Sequence, residues 1–194
     1  MDDNEFAAFV DEHKDSLINY LTHLTRSRER AEEFAQDAFV RFYRAASKLD
    51  ARMAAAPYLF RIATNLAITH IRRERRWNQL LPRLIALTPR TAPPADEATM
   101  TGEIERKVAA ALATLPIKFR SPLVLFEIES WSYDDIARAL GCRIGTVKSR
   151  ISRARALMRA QLESWWIGES HERCRIESGP AHAGACDCAA SLHV

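Results

Sequence analysis

The chain has 194 residues, a formal net charge of +3 and 47% hydrophobic residues, which is enough for one large or two small packed domains. No apolar run approaches the roughly 20 residues of a membrane span, so we expect no membrane insertion. The first residues, MDDNEFAAFVDEHKD, are acidic and lack the basic segment and apolar stretch of a secretory signal, so we expect a cytoplasmic protein.

Residues 5–76 contain almost no helix breakers and predict successive amphipathic helices. In the first helix the apolar residues recur mainly at spacings of three and four: Phe6, Phe9, Val10, Leu17, Ile18, Leu21 and Leu24. A second helix is predicted from about Arg30, with one apolar face: Phe34, Ala38, Phe42 and Ala45. The stretch Lys48–Pro57 is predicted as a loop. A long helix then runs from about Pro57 to Arg76, because proline is tolerated in the first helical turn.

The long helix combines an apolar stripe with a polar face that ends in arginines. The stripe comprises Leu59, Ile62, Ala63 and Leu66, with His70 and Ile71 at its end. The polar face comprises Arg61, Asn65, Ile68 and Thr69, followed by Arg72, Arg73, Arg75 and Arg76. This order suits a surface that contacts bases and then phosphates. The alternative is a solvated basic helix end that is favoured by the helix dipole.

The composition of the rest of the chain divides it into a linker, a second helical domain and a tail. Residues 77–102 contain four prolines among threonine and alanine and predict a flexible linker, with at most a short helix near Leu80–Leu87. Residues 103–166 predict a second helical domain, with helices at 103–114 and about 117–129 before two further helices. Residues 167–194 show little periodicity and are predicted to be disordered. The predicted fold class is all-α: two small helical domains, 5–76 and 103–166, joined by a flexible linker.

The segment from Ser132 to Leu162 predicts a helix-turn-helix at about residues 132–151. Ser132 is a natural N-cap answered by Asp135, and Gly141 can adopt the left-handed conformation that ends a helix. In the second helix the residues predicted to face the core are Val147, Ile151, Ala154 and Leu157/Met158. Residues 138–163 hold seven bases and one acid, whereas residues 1–50 hold eleven acids and seven bases. A basic second helix favours DNA binding in the major groove; a helical hairpin with a solvated basic face is the alternative.

These segments carry a family resemblance. The sequences AEEFAQDAFVRFYRA (31–45), PYLFRIATNLAITHIRRERR (57–76) and LPIKFRSPLVLFEIESWSYDDIARALGCRIGTVKSRISRARALMRAQL (115–162) resemble, in that order, three functional segments of the extracytoplasmic-function (ECF) sigma factors of the sigma-70 superfamily. The resemblance spans about residues 5–163. It implies a sigma factor, not an enzyme, that binds core RNA polymerase and promoter DNA and directs initiation, controlled by an anti-sigma factor or by its own cysteine-containing tail.

The resemblance also implies roles for individual residues. The polymerase-binding residues would be Gln36, Asp37, Phe39 and Arg41; for Phe39 the alternative is a core position. The residues at the −10 element would be Asn65, Thr69, Arg72, Arg73 and Arg76, with the Lys48–Pro57 loop shaping a pocket for a flipped base. The residues at the −35 element would be Arg143, Thr146, Lys148, Ser149, Arg150 and Arg153. A classical dimeric helix-turn-helix regulator is the alternative function, but it leaves 31–76 unexplained.

The linker and the tail lead to two further expectations. A flexible coil of about 26 residues spans only ~25–30 Å root-mean-square, whereas the two promoter elements lie roughly 70 Å apart. The free protein is therefore not expected to hold its domains at promoter spacing. No cofactor is required, but Cys174, His182, Cys186 and Cys188 could bind a regulatory zinc, copper or cadmium ion. Thiol redox sensing and an inert tail are the alternatives, and Cys142 is predicted to be a packed residue.

Overall fold

A computed structural model describes residues 2–46, 54–84 and 102–177. Within these ranges it contains seven α-helices and no strand, so the predicted all-α class is confirmed. The helices are α1 Asp3–Thr25, α2 Arg28–Ala46, α3 Ala55–Leu84, α4 Glu103–Thr114, α5 Ile117–Glu127, α6 Tyr133–Leu140 and α7 Ile144–Glu177. None of the described helices is both long and apolar enough to cross a membrane.

The first three helices pack together as one unit. Helix α1 begins with a capping box, in which the Glu5 backbone N–H donates to the Asp2 carboxylate at 2.7 Å. That bond satisfies one of the N–H groups that a helix start leaves unpaired. Inside the unit the Tyr20 hydroxyl lies 2.8 Å from the buried Thr64 hydroxyl, and Phe9 stacks on Phe42 with ring centroids 4.7 Å apart. A polar pair and an aromatic pair thus fix how α1 meets its neighbours.

The last four helices form the second unit, and its local signals act as predicted. The Asp135 backbone N–H donates to Ser132 Oγ at 3.1 Å, and the Ser132 hydroxyl donates to the Asp135 carboxylate at 2.6 Å. This hydrogen bond lowers the pKa of the Asp135 carboxyl, so the carboxylate stays ionised to a lower pH than an ordinary aspartate. Gly141 ends α6 at φ 59°, the left-handed conformation that glycine adopts without a Cβ penalty. The predicted helix-turn-helix is therefore present.

Two helices extend beyond the bounds expected from the sequence. Helix α3 continues to Leu84, into the predicted linker, and α7 continues to Glu177, into the predicted tail. Between Trp77 and Leu81 no breaker occurs, and propagation adds one hydrogen bond for each residue fixed. The disorder predicted from residue 167 is wrong as far as Glu177, and Gly168 does not end α7, because one interior glycine costs only about 1 kcal/mol. Residues 48–53 of the predicted Lys48–Pro57 loop lie outside the described residues, and its end is helical instead, because α3 begins at Ala55.

The two units are packed against each other rather than held apart. Helix α6 packs on α3, and α5 packs on α1. The Phe60 ring from α3 lies 4.5 Å from the Trp131 ring, which precedes α6. One continuous core of buried residues therefore runs through both units. The structure shows a closed arrangement for which the sequence contains no signal.

Candidate nucleic-acid and polymerase interface

Helix α7 presents the basic face that was predicted to read the −35 element. Val147, Ile151 and Ala154 are each at most 1% exposed and anchor one side of α7 in the core. Anchoring that side turns the intervening positions outward, because they lie about half a turn away. The predicted DNA-contacting residues are accordingly exposed at Arg143, Lys148, Ser149 and Arg153, and half-buried at Thr146 and Arg150.

The arginines at the start and along the length of α7 differ in whether a carboxylate of the protein pairs with their side chains. Arg155 Nε donates to Glu127 at 2.7 Å, and its guanidinium lies 5.3 Å from the Phe126 ring centroid, so it ties α7 to α5. Among the described residues no carboxylate forms an ion pair with Arg143, Arg150 or Arg153. A cation that no carboxylate neutralises can neutralise a phosphate or donate to a base edge. The structure thus separates a structural arginine from three available ones.

The exposed face of α3 carries the residues predicted for the −10 element. Asn65, Thr69, Arg72 and Arg76 follow one another at spacings of four, three and four, so they lie on one helix face, and all four are exposed. Arg73, beside them, is also exposed. The Thr69 hydroxyl donates to the Asn65 carbonyl at 2.7 Å. Its side chain is therefore already engaged within the helix, whereas the Asn65 amide faces solvent.

The structure alters one of the predicted polymerase contacts on α2. Gln36, Asp37 and Arg41 are exposed, but Phe39 is only 8% exposed and belongs to the core. The prediction that Phe39 faces a partner is wrong for this arrangement, because Ala35, Phe39 and Phe42 share the inner side of the helix. An apolar residue on the outer face that sequence reasoning missed is Val40, which is 49% exposed. Its position between Asp37 and Arg41 was the available signal.

The closed arrangement brings the two predicted DNA-reading faces to one cleft. Asn65 and Arg72 of α3 line it together with Arg150 of α7, and its volume is about 260 Å³. Arg61, which was not among the predicted contacts, also lines it and lies four residues before Asn65 on the same face. The guanidinium of Arg61 lies 3.5 Å from the position that a Cβ would take at Gly141. The turn of the helix-turn-helix therefore lies directly against the α3 face that was predicted to contact the −10 element.

The predicted metal ligands are not assessed by this structure. His182, Cys186 and Cys188, and the side chain of Cys174, lie outside the described residues. Within the described part of the chain, no group of three His, Cys, Asp or Glu side chains could hold a metal ion. Cys142 is half-buried in the turn and lies 3.9 Å from Arg150 Nη1.

Comparison with known proteins agrees with this geometry. The family model for Sigma-70 region 2 matches residues 9–77, and the model for Sigma-70, region 4 matches 105–158. The chain is 32% identical over 169 residues to the ECF RNA polymerase sigma factor SigW of Bacillus subtilis, covering 83% of this chain and 90% of that protein. It is also 32% identical over 164 residues to the RNA polymerase sigma-H factor of Pseudomonas aeruginosa, covering 79% and 84% respectively.

Solved structures show the same fold. One is the sigma factor RpoE in complex with the anti-sigma factor NepR from Bartonella quintana, with a TM-score of 0.63, 23% identity, and coverage of 82% of this chain and 97% of that one. Another is CnrH in complex with the cytosolic domain of CnrY, with a TM-score of 0.62, 24% identity, and coverage of 84% and 90%.

The matches to Sigma-70 region 2 in the first unit and to Sigma-70, region 4 in the second identify a transcription initiation factor of the sigma-70 type. The chain belongs to the extracytoplasmic-function (ECF) sigma factors, which bind core RNA polymerase and promoter DNA. The family and the function predicted from the sequence are thereby confirmed. The alternative of a dimeric regulator is set aside, since the region 2 match accounts for the segment that it left unexplained.

Proposed function

We propose a division of labour among the helices of this sigma factor, in the cytoplasm where core polymerase and DNA are found. The face of α3 at Asn65, Arg72 and Arg76 reads the −10 element. The face of α7 at Lys148 and Arg150, with Arg143 directly before the helix, reads the −35 element. The observation that carries the proposal is that both faces are basic and have no carboxylate partner among the described residues. The exposed face of α2 at Gln36, Val40 and Arg41 binds core polymerase.

Promoter recognition in this scheme requires the protein to open. In the closed arrangement Asn65 and Arg150 line one narrow cleft. Promoter elements two DNA turns apart lie roughly 70 Å from each other, so the two faces cannot engage both elements while they share a cleft. Binding to core polymerase supplies the free energy that separates the two units, since a partner that binds the open state better shifts the population toward it.

An anti-sigma factor is the proposed antagonist. RpoE and CnrH, which share this fold, were each solved in complex with another protein, for RpoE the anti-sigma factor NepR. A protein that covers the α2 face or holds the two units together would block access to core polymerase. In either mode the anti-sigma factor would compete with core polymerase for the protein, and no covalent modification of the chain would be needed.

Core dependence is the first test of the proposal. We expect no transcription from the protein alone and specific initiation once core polymerase is added. The measurement is run-off transcription on a library of upstream fragments, with holoenzyme formation followed by pull-down. Val40→Glu should weaken holoenzyme formation, because it places a charge on the apolar centre of the α2 face, whereas Glu12→Gln on the exposed side of α1 should not. Tight sequence-specific binding by the isolated protein as a dimer would contradict the proposal.

The cysteine-containing tail is proposed as a metal-responsive element. Its support is the crowding of Cys174, His182, Cys186 and Cys188, because thiolates and imidazoles bind zinc, copper or cadmium with release of protons. We expect truncation after Trp166 to remove any response of in vitro transcription to these ions while leaving basal transcription intact. The same comparison with a mild oxidant tests redox sensing. Identical responses from the full-length and truncated proteins would show that the tail is dispensable.

A further inference from the structure

We infer that Arg120 and Glu129, both in the second unit, form an intramolecular latch that closes the protein over its own two DNA-reading faces. This inference rests on the proposed function, since it names the contacts that core polymerase must break. The latch consists of Arg120 bound to the end of α1 and Glu129 bound to the middle of α1, with the Phe60–Trp131 contact beside them.

Arg120 joins the two units through backbone carbonyls. Arg120 is 5% exposed, and within its own unit its guanidinium donates to the Leu115 carbonyl at 2.9 Å and to the Ala113 carbonyl at 3.0 Å. Across the interface Nη1 donates to the carbonyls of Leu24 at 3.2 Å and His23 at 3.3 Å. One planar side chain therefore bonds both units at once, which its fixed fork of donors permits.

The carbonyls that Arg120 reaches are ones that α1 cannot satisfy itself. His23 and Leu24 lie in the last turn of α1, where carbonyls have no intrahelical N–H partner. This end also carries the negative pole of the helix dipole, which attracts a cation. Among the described residues no carboxylate pairs with Arg120, so the α1 terminus is its compensating group across the interface. Burial, with Arg26 and Arg75 nearby, lowers the pKa of Arg120 to about 10, so the side chain remains charged at neutral pH.

Glu129 supplies the second half of the latch. Its carboxylate accepts a hydrogen bond from the Asn19 amide at 2.8 Å and another from the Ser16 hydroxyl. Both donors lie on α1, one turn apart, and Glu129 follows directly after α5 and its C-cap. The two oxygens of one carboxylate are thus held by the first unit. Since Asn19 is exposed and packs into no core, this contact can be changed without disturbing either unit.

Closure needs a stabilising contact because the cationic side chains that the two units bring to the cleft repel each other. Arg61 and Arg72 from the first unit face Lys118 and Arg150 from the second, and no acidic side chain of the described residues lines this cleft. Like charges brought together across the cleft oppose closure. When the units separate, the same cations are free for phosphates. Closure therefore depends on the contacts of Arg120, Glu129 and Phe60 together with the packing of α6 on α3. Opening relieves the repulsion and exposes both DNA-reading faces.

The test uses the full chain and a substitution that acts only between the units. Asn19→Asp places a carboxylate against Glu129 and should open the protein. We expect a larger radius of gyration by small-angle X-ray scattering and an apparent affinity for core polymerase about fivefold tighter, since that affinity scales with the open fraction. Asn4→Asp, the same change at the exposed start of α1, is the matched control and should alter neither quantity.

Two further variants make the outcome decisive. Adding Glu129→Gln to Asn19→Asp exchanges the carboxylate and the amide across the interface and should restore the closed dimensions. Arg120→Lys, whose compact ammonium lacks the planar fork that reaches the carbonyls of both units at once, should open the protein as Asn19→Asp does. An unchanged radius and core affinity for Asn19→Asp would overturn the latch. If the wild-type protein failed to bind core at all, the proposed function would fail, while the radius of the free variants would still decide the latch.

Discussion

Phe42→Ala is expected to destabilise the first unit by about 3–5 kcal/mol, the usual cost of truncating a fully buried phenylalanine. Phe42 is 1% exposed, stacks on Phe9, and lies 6.2 Å from the Tyr58 ring, so one side chain joins α1, α2 and α3. A loss of this size is a large part of the roughly 5–15 kcal/mol that holds a typical domain folded. Urea and thermal unfolding followed by circular dichroism measure it.

Val40→Ala on the same helix is the matched control for Phe42→Ala. Val40 is 49% exposed, so its truncation should change the free energy of unfolding by no more than about 0.5 kcal/mol. It should instead weaken the binding of core polymerase, because it removes the apolar centre of the α2 face. The two variants therefore separate stability from partner binding. A loss of less than about 1 kcal/mol for Phe42→Ala would show that the three-helix core is not organised around this ring.

Arg150→Ala is expected to lower discrimination at the upstream promoter element by about 1–3 kcal/mol, the value of a good bidentate contact with guanine. Arg150 lies on α7 without a carboxylate partner among the described residues, and in the closed form it faces the cleft shared with α3. Arg76→Ala should act differently. It removes a cation that is expected to contact the DNA phosphate backbone, so DNA binding should weaken on all sequences. The slope of log affinity against log salt concentration should fall by about one.

The measurement compares initiation by each holoenzyme on a native and a scrambled upstream element at several salt concentrations. Arg155→Ala is the matched arginine control, because Arg155 is bound to Glu127 and should affect stability rather than discrimination. If Arg150→Ala reduced initiation equally on the native and scrambled elements, Arg150 would not be reading bases in the major groove. A loss of discrimination with Arg155→Ala would show instead that the orientation of α7 sets specificity.

Local structure was predictable because its causes are local. The Ser132 cap, the left-handed Gly141 and the inward turn of Val147 and Ile151 depend on residues within a few positions of each other, and each lies as the sequence predicts. The exposed face at Asn65 and Arg72 follows in the same way from helical periodicity. The helix ends were less predictable, since a single glycine or the absence of a breaker shifts the free energy of a terminal turn only slightly.

What periodicity cannot decide is which of two similar residues faces the core. Phe39 and Val40 are both apolar neighbours on α2, and the sequence supported a partner contact for Phe39. Packing against α1, where the Phe39 ring lies 6.5 Å from Phe6, buries Phe39 and leaves Val40 outside. The rotation of α2 about its axis was set by the shapes of the facing helices, so only the tertiary structure could assign the two positions.

By itself the sequence determined the helical class, the two units, the helix-turn-helix and the family, because each is written in spacing, caps or motif. The tertiary structure alone decided that the two units close on each other and that Arg120 and Glu129 hold them. Those contacts join residues about a hundred positions apart, such as Arg120 with Leu24 and Glu129 with Asn19. A long-range contact leaves no periodic mark on either segment, because nothing in the neighbouring sequence distinguishes Arg120, Glu129 or Asn19 from other polar residues of the chain.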